Sequence, residues 1–132
     1  MLDIGANIGY FSVLLGMLAG PEGSLWAYEP HPRLAGLLFD NLSINYLHDR
    51  TETVAAAAYT LPGELKFFAS QRFLGNSSIR APGDFYLRHY NDEFAEVAVE
   101  AVRLDDRVDD FGSLDYVKID IEGGEYRAFL GM

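Results

Sequence analysis

Asp3-Ile4-Gly5-Ala6-Asn7-Ile8-Gly9 joins a short apolar strand, Met1–Ile4, to an apolar helix running from about Tyr10 to Ala19. The architecture follows from that junction. Gly5 permits a tight turn and lets a ligand approach the backbone, and Gly9 lets the helix pack closely on the sheet. Gly20-Pro21-Glu22-Gly23 ends the helix, since glycine and proline punctuate regular structure. Ser24–Glu29 reads as a second strand. Pro30 and Pro32 stop it and open a helix over Arg33–Tyr46, with leucines and Phe39 at helical spacing. Thr53–Tyr59 reads as a third strand, weak in propensity because of its four alanines. Such alternation predicts parallel strands joined by right-handed crossovers, an α/β fold.

The remainder departs from this rhythm. Glu64–Ser70 alternates like a strand, and Glu96–Leu104 alternates acidic with apolar residues as a half-exposed strand does. The two are expected to pair antiparallel. Between them, Gln71–Asp92 is rich in Gly, Ser and Asn and reads as a long loop with room for one helical turn, long enough for a lid. Asp105-Asp106 caps a short turn or helix. Asp115–Ile121 reads as a buried strand carrying charges, Gly123-Gly124 as a turn, and Glu125–Leu130 as the start of a helix.

Composition bounds the function. The 132 residues are 49% hydrophobic and 23% charged, a globular balance. Twenty acids against ten bases give a net charge of −10, which disfavours nonspecific binding to nucleic acid or to an anionic membrane. Residues 92–125 carry twelve of the acids and three of the bases; a solvated acidic face is the simplest account. With no cysteine, disulfides, thiolate metal sites and cysteine nucleophiles are excluded. No apolar run approaches the ~20 residues that span a bilayer. The N-terminus carries no signal pattern, and a cytoplasmic location is the default expectation.

Strand-to-helix turns in open parallel sheets are where nucleotide-like ligands sit. Glu29 closes the second strand 20 residues after Gly9, the spacing at which a carboxylate meets ribose hydroxyls. A dinucleotide prefers Gly-x-Gly-x-x-Gly at a helix N-terminus. The turn here reads Gly-x-Asn-x-Gly with Asp3 just before it. An extra carboxylate is unfavourable beside a pyrophosphate and favourable beside a cationic ligand. S-adenosylmethionine has a sulfonium, an ammonium, a carboxylate and a ribose, and suits these residues better. Asp3 is expected to attract the ammonium directly or through water, backbone N–H groups of the turn to meet the carboxylate, and Glu29 to hold the ribose.

DIGANIGYFS, YEPHPRLAGLLFDNLSIN, VRLDD and VKIDIEGGEYRAFLG, in that order and spacing, resemble successive blocks of the FkbM family of S-adenosylmethionine-dependent methyltransferases. The resemblance runs across nearly the whole chain. It implies a Rossmann-like class I methyltransferase core, with parallel strands in the order 3-2-1-4 plus the added antiparallel pair. It implies methyl transfer to a hydroxyl oxygen of a sugar, polyketide or other small metabolite, with S-adenosylmethionine as cofactor. Carried over by position, Asp3, Gly5, Asn7 and Gly9 match the first cofactor block and Glu29 the ribose-binding acid. Ala56–Ala58, centred on Ala57, match the adenine-lining region, and Gly75–Ile79 resembles a Ser-containing loop. Asp120, Glu122, Gly123 and Glu125 match the block whose carboxyl end faces the sulfonium.

The family domain usually extends further at both ends. The chain is therefore expected to form one methyltransferase domain over 1–132, incomplete at its C-terminus and with its N-terminal extent left open. Strand 115–121 would then be an edge, open to a second copy of the chain. A module that binds S-adenosylmethionine without turnover, or an interaction module on a Rossmann-like fold, is the alternative reading.

A hydroxyl acceptor must lose its proton, so a general base is useful. Asp120, at the end of the fourth strand, is the first candidate, Glu122 the second and His31 the third. Asp120 could instead pair with Lys118 or cap the next helix. Glu122 could instead bind N–H groups of the Gly123-Gly124 turn. His31 could lie on the surface or at the cofactor's edge. His48 and His89 have no acid or histidine at ligand spacing, and no metal site is expected. Phe73, Phe85, Tyr86 and Tyr90 could cover an acceptor or simply pack. The expected partner is a small-molecule acceptor, with neither nucleic acid nor membrane.

Overall fold

A computed structural model describes all of residues 1–132. Its centre is a parallel sheet of four strands. β1 (Leu2–Ile4) lies between β2 (Leu25–Tyr28) and β7 (Val117–Ile119), and β3 (Thr51–Val54) flanks β2. The order β3-β2-β1-β7 is the Rossmann-like arrangement expected from the sequence. Two of its crossovers carry α1 (Tyr10–Leu18) and α2 (Pro32–Ile44).

Period-two alternation divides the core. Leu2, Ile4 and Tyr28 point to one side, where they meet Ala56, Val102 and Phe111. Ala6 and Ala27 belong to the other side, with Leu38, Leu42 and Leu47. The first cluster also joins the main sheet to a second one. β4 (Ala56–Ala58), β5 (Gly63–Ser70) and β6 (Phe94–Val102) form that sheet in the order β4-β6-β5. β5 and β6 pair antiparallel over their length, as expected, while β4 runs parallel to β6.

The stretch read as one strand, Thr53–Tyr59, is two. The chain leaves the parallel sheet after Val54 and enters the second sheet at Ala56. Ala55 is the switch point. No glycine or proline marks it, so local sequence carries no signal.

The Gln71–Asp92 segment holds more structure than a loop. It contains a 3-10 turn at Leu74–Asn76 and α3 (Asp84–His89). Ser78 also folds back on β5, exchanging two backbone hydrogen bonds with Phe68. Asp92 ties the segment's ends together. Its Oδ1 accepts from the N–H groups of Arg72 (3.1 Å) and Glu93 (2.9 Å), and its Oδ2 from Ser70 Oγ (2.7 Å) and Tyr86 Oη (2.9 Å). α4 (Val108–Phe111) and α5 (Glu125–Phe129) are short, and β7 stands at the sheet edge with Val117, Ile119 and Ile121 half-buried. No helix is long and apolar enough to cross a membrane.

Candidate active site

The carboxyl ends of β1, β2 and β7 meet the second sheet around an open-mouthed cavity enclosing about 560 Å³ of empty space. Gly5 and Asn7 wall it from the first turn, and Glu29 and Pro30 from the end of β2. Ala56, Ala57, Ala58 and Phe67 give an apolar wall from the second sheet. Asp120, Ile121 and Glu122 close it beyond β7, and Gly75, Ser77 and Ile79 cover it from the 71–92 segment.

The turn has no room for side chains. A Cβ on Gly5 (φ +77°) would sit 2.0 Å from the carbonyl oxygen of Asp120. Asn7 also holds a positive φ, 53°, which asparagine tolerates better than most residues. Gly9 (φ +91°) lies off the cavity, and its close approach is to another element than expected. A Cβ there would meet Leu38 Cδ1 of α2 at 2.8 Å, so Gly9 admits a helix rather than the sheet.

Glu29 is 5% exposed. Its Oε2 accepts from the Asn7 N–H and its Oε1 from the His31 N–H, both at 2.8 Å. An ionised carboxylate offers about four lone-pair sites, so each oxygen keeps one free. Burial raises the Glu29 pKa above the usual glutamate value, with the His31 and Asn7 N–H groups pulling the other way.

Asp3 is not on the cavity wall. It is fully buried beneath the turn, where Ser12 Oγ donates to its Oδ2 at 2.6 Å and Lys118 Nζ lies 3.0 Å from its Oδ1. The ion pair follows from register, since Asp3 and Lys118 stand opposite each other on β1 and β7. Lys118 Nζ also donates to the Gly5 carbonyl at 2.8 Å. The direct contact expected between Asp3 and a ligand ammonium therefore gives way to a supporting one: Asp3 holds Lys118, and Lys118 holds the turn. Lys118 itself borders another cleft beside the turn, together with Asp120 and Glu122.

His31 is neither at the surface nor on the cavity wall. It is 7% exposed, caps α2 by accepting the Arg33 N–H on Nδ1 at 3.2 Å, and meets Phe67 edge-on. Burial and, less strongly, Arg33 hold its pKa below the usual histidine value. Its neutral proton is thus on Nε2, and capping is its role.

Asp120 and Glu122 both line the cavity. The alternatives open to them go to other residues: Lys118 pairs with Asp3, and Glu125 grips the turn. Glu125 Oε1 accepts from the N–H groups of Ile121 and Gly123, each at 3.1 Å. Backbone N–H donation, its own first and then that of Gly123 and Ile121, holds the Glu125 pKa below the usual value. Glu122, held at φ 52°, sits on the tip of that turn. No group of three or more His, Asp or Glu gathers at metal-binding distance.

The family model for the methyltransferase FkbM domain matches residues 3–132. The chain belongs to the FkbM methyltransferase family. No curated protein sequence and no solved structure matches it. FkbM-family proteins are S-adenosylmethionine-dependent methyltransferases, and the cavity fits that cofactor on its own evidence. Glu29 is a buried carboxylate with spare lone pairs for ribose hydroxyls, and Ala57 and its neighbours form an apolar wall for a base.

Of the residues named from sequence, Gly5, Asn7, Glu29, Ala57, Asp120 and Glu122 come together around one cavity, while Asp3 and Gly9 support it from behind. Phe67 and Asp92 were not expected at the site, and Lys118 was expected only as an alternative partner of Asp120. A lysine inside an otherwise apolar strand was the available signal for Lys118; β-sheet register was the missing information.

Proposed function

We propose that this methyltransferase acts on a hydroxyl oxygen of a small metabolite, a sugar, polyketide or similar compound. The observation that carries the reading is the pair of carboxylates, Asp120 and Glu122, lining the cavity without any intramolecular hydrogen bond. A hydroxyl is a weak nucleophile until its proton is taken, and an unengaged carboxylate within reach is the group that takes it.

Glu29 would hold the ribose through its two free lone pairs; the N–H groups of the turn, expected to meet the ligand carboxylate, are instead already donated, those of Gly5 and Ala6 to the Tyr28 carbonyl and that of Asn7 to Glu29. S-adenosylmethionine supplies an electrophilic methyl group on a sulfonium. The protein's own part is then orientation and proton removal. The turn and the Ala56–Ala58 wall fix one reactant, Asp120 or Glu122 accepts the acceptor's proton, and the 71–92 segment sheds water from the site. Positioning of this kind contributes several kcal/mol, up to roughly 7–11 in the best cases.

The test is transfer of labelled methyl to a panel of hydroxylated small molecules, with thiols and amines as controls. The expected result is incorporation at oxygen, reduced at least about 100-fold in the variant of whichever carboxylate is the base, Asp120→Asn or Glu122→Gln. Cofactor binding stays intact in both. Methylation confined to amines or thiols overturns the assignment to oxygen. Cofactor binding with no transfer to any acceptor favours the inactive-module reading.

A further inference from the structure

The segment Leu74–Arg80 lies between two spaces that adjoin at Glu122. Leu74, Gly75, Ser77 and Ile79 face the cofactor cavity, while Asn76, Ser78 and Arg80 face a second cleft enclosing about 820 Å³ of space with its open mouth. Tyr86 and Phe94 form the far wall of that cleft, and Glu122 borders both spaces. Ser78 Oγ donates to the Glu122 carbonyl at 3.0 Å, fixing the segment to the turn that carries the candidate base.

Arg80 is the cation of this cleft, and it is unpaired. The molecule's five ion pairs use Lys66, Arg103, Arg107 and Lys118. Glu125 feels the charge of Arg80 only from beyond ion-pair distance. The guanidinium instead lies across Gly123, where a Cβ would come within 3.0 Å of its Nη1. A bare backbone thus seats Arg80 beside Glu122. On the facing wall, Tyr86 is fixed by its hydroxyl, which accepts from Asn76 Nδ2 at 2.8 Å and donates to Asp92 at 2.9 Å. Its ring stacks on Tyr90 and meets Phe94 edge-on. Asn76 keeps its Oδ1 free, since only its Nδ2 is engaged.

We infer that this cleft binds the methyl acceptor, and that the acceptor is a sugar-like ring bearing an anionic group, carboxylate or phosphate, which Arg80 grips. The inference rests on the methyltransferase reading above and extends it to a substrate class. An unpaired guanidinium matches a planar or tetrahedral oxyanion by two parallel hydrogen bonds. An anchored aromatic ring suits the C–H face of a pyranose, and the Asn76 carbonyl accepts from a ring hydroxyl. A protein of net charge −10 repels small anions in general, so the arginine of this cleft discriminates rather than merely attracts. In the step served, the acceptor oxygen forms a bond to the methyl carbon as the carbon–sulfur bond breaks. The electron pair stays on sulfur, and the hydroxyl proton goes to the carboxylate that serves as base, Asp120 or Glu122.

The test uses the full chain saturated with S-adenosylhomocysteine, titrated by calorimetry with D-glucuronate, D-glucose 1-phosphate and D-glucose. At least one anionic sugar is expected to bind about fivefold or more tighter than glucose. That margin should collapse in Arg80→Gln, which keeps its affinity for S-adenosylhomocysteine. Preference for glucuronate assigns the anion as carboxylate, and preference for the phosphate assigns it as phosphate. Equal binding of all three sugars, no binding of any, or an anion preference that survives Arg80→Gln overturns the inference while leaving the cofactor site standing. Absence of S-adenosylhomocysteine binding overturns the underlying reading instead, and the inference with it.

Discussion

Glu29 holds two backbone N–H groups and keeps a lone pair on each oxygen for a ligand. Both tasks need the carboxylate ionised, and burial raises its pKa. A ribose that donates to the ionised form binds it preferentially, so cofactor affinity should weaken as pH falls through that raised value, above the range of a free glutamate. Calorimetric titration of S-adenosylhomocysteine from neutral to mildly acidic pH checks this, and Glu29→Gln should bind weakly with a flattened profile. The sign for folding is opposite. A raised folded-state value makes the Glu29 contribution most favourable at low pH and lost as pH rises through that value. Lys118 makes a different case. With Asp3 fully buried and Lys118 17% exposed, Lys118→Met leaves a buried carboxylate without its cation and should cost about 3 kcal/mol in urea unfolding. Adding Asp3→Asn should return part of that loss, because a neutral amide needs no counter-charge. Glu29 was readable in the sequence because a strand end and a spacing are local facts. The Asp3–Lys118 pair was not, because β1 and β7 lie near opposite ends of the chain and only sheet register brings the two side chains together.

The 71–92 segment shows how an element without strong periodicity is held. Asp92 accepts four hydrogen bonds that close its two ends and anchor Tyr86. Burial works against ionisation of Asp92, yet the bonds from Ser70, Arg72, Tyr86 and Glu93 hold its pKa below the usual aspartate value. Its stabilisation is therefore present above the ordinary aspartate range and lost as pH falls through the lowered value. Asp92→Ala strips partners from several donors at once. It should destabilise the fold by about 1–3 kcal/mol and speed hydrogen exchange or proteolysis within 71–92 ahead of the parallel sheet. Turn-rich composition correctly marked this segment as a covering element. Its helix and its fold-back on β5 were hidden, since neither has an apolar period of its own. The break at Ala55 was hidden for a related reason: four successive alanines fit either sheet equally well.

At the scale of the molecule, alternating strands and helices made the parallel sheet legible, while its strand order came from the family resemblance. The parallel pairing of β4 with β6 was beyond reach, being fixed by how the second sheet docks on the first through Ala56, Ala58 and Val102. The cofactor cavity lies at that docking seam, walled by both sheets. A ligand there binds only the assembled molecule. S-adenosylhomocysteine at 100 times its Kd should add about 2.7 kcal/mol of stability, a rise in Tm of roughly 10 °C for a chain of this size. Differential scanning fluorimetry measures it, and Glu29→Ala should abolish most of the rise.

The Leu74–Arg80 strip has one face in each chamber, so a ligand that shifts it from one side would alter the shape offered to the other. Thermodynamic reciprocity makes that influence mutual and equal in magnitude. In steady-state kinetics the outcome is a sequential, ternary-complex rate law: double-reciprocal lines that intersect rather than run parallel, with no methylated protein accumulating when the donor is supplied alone.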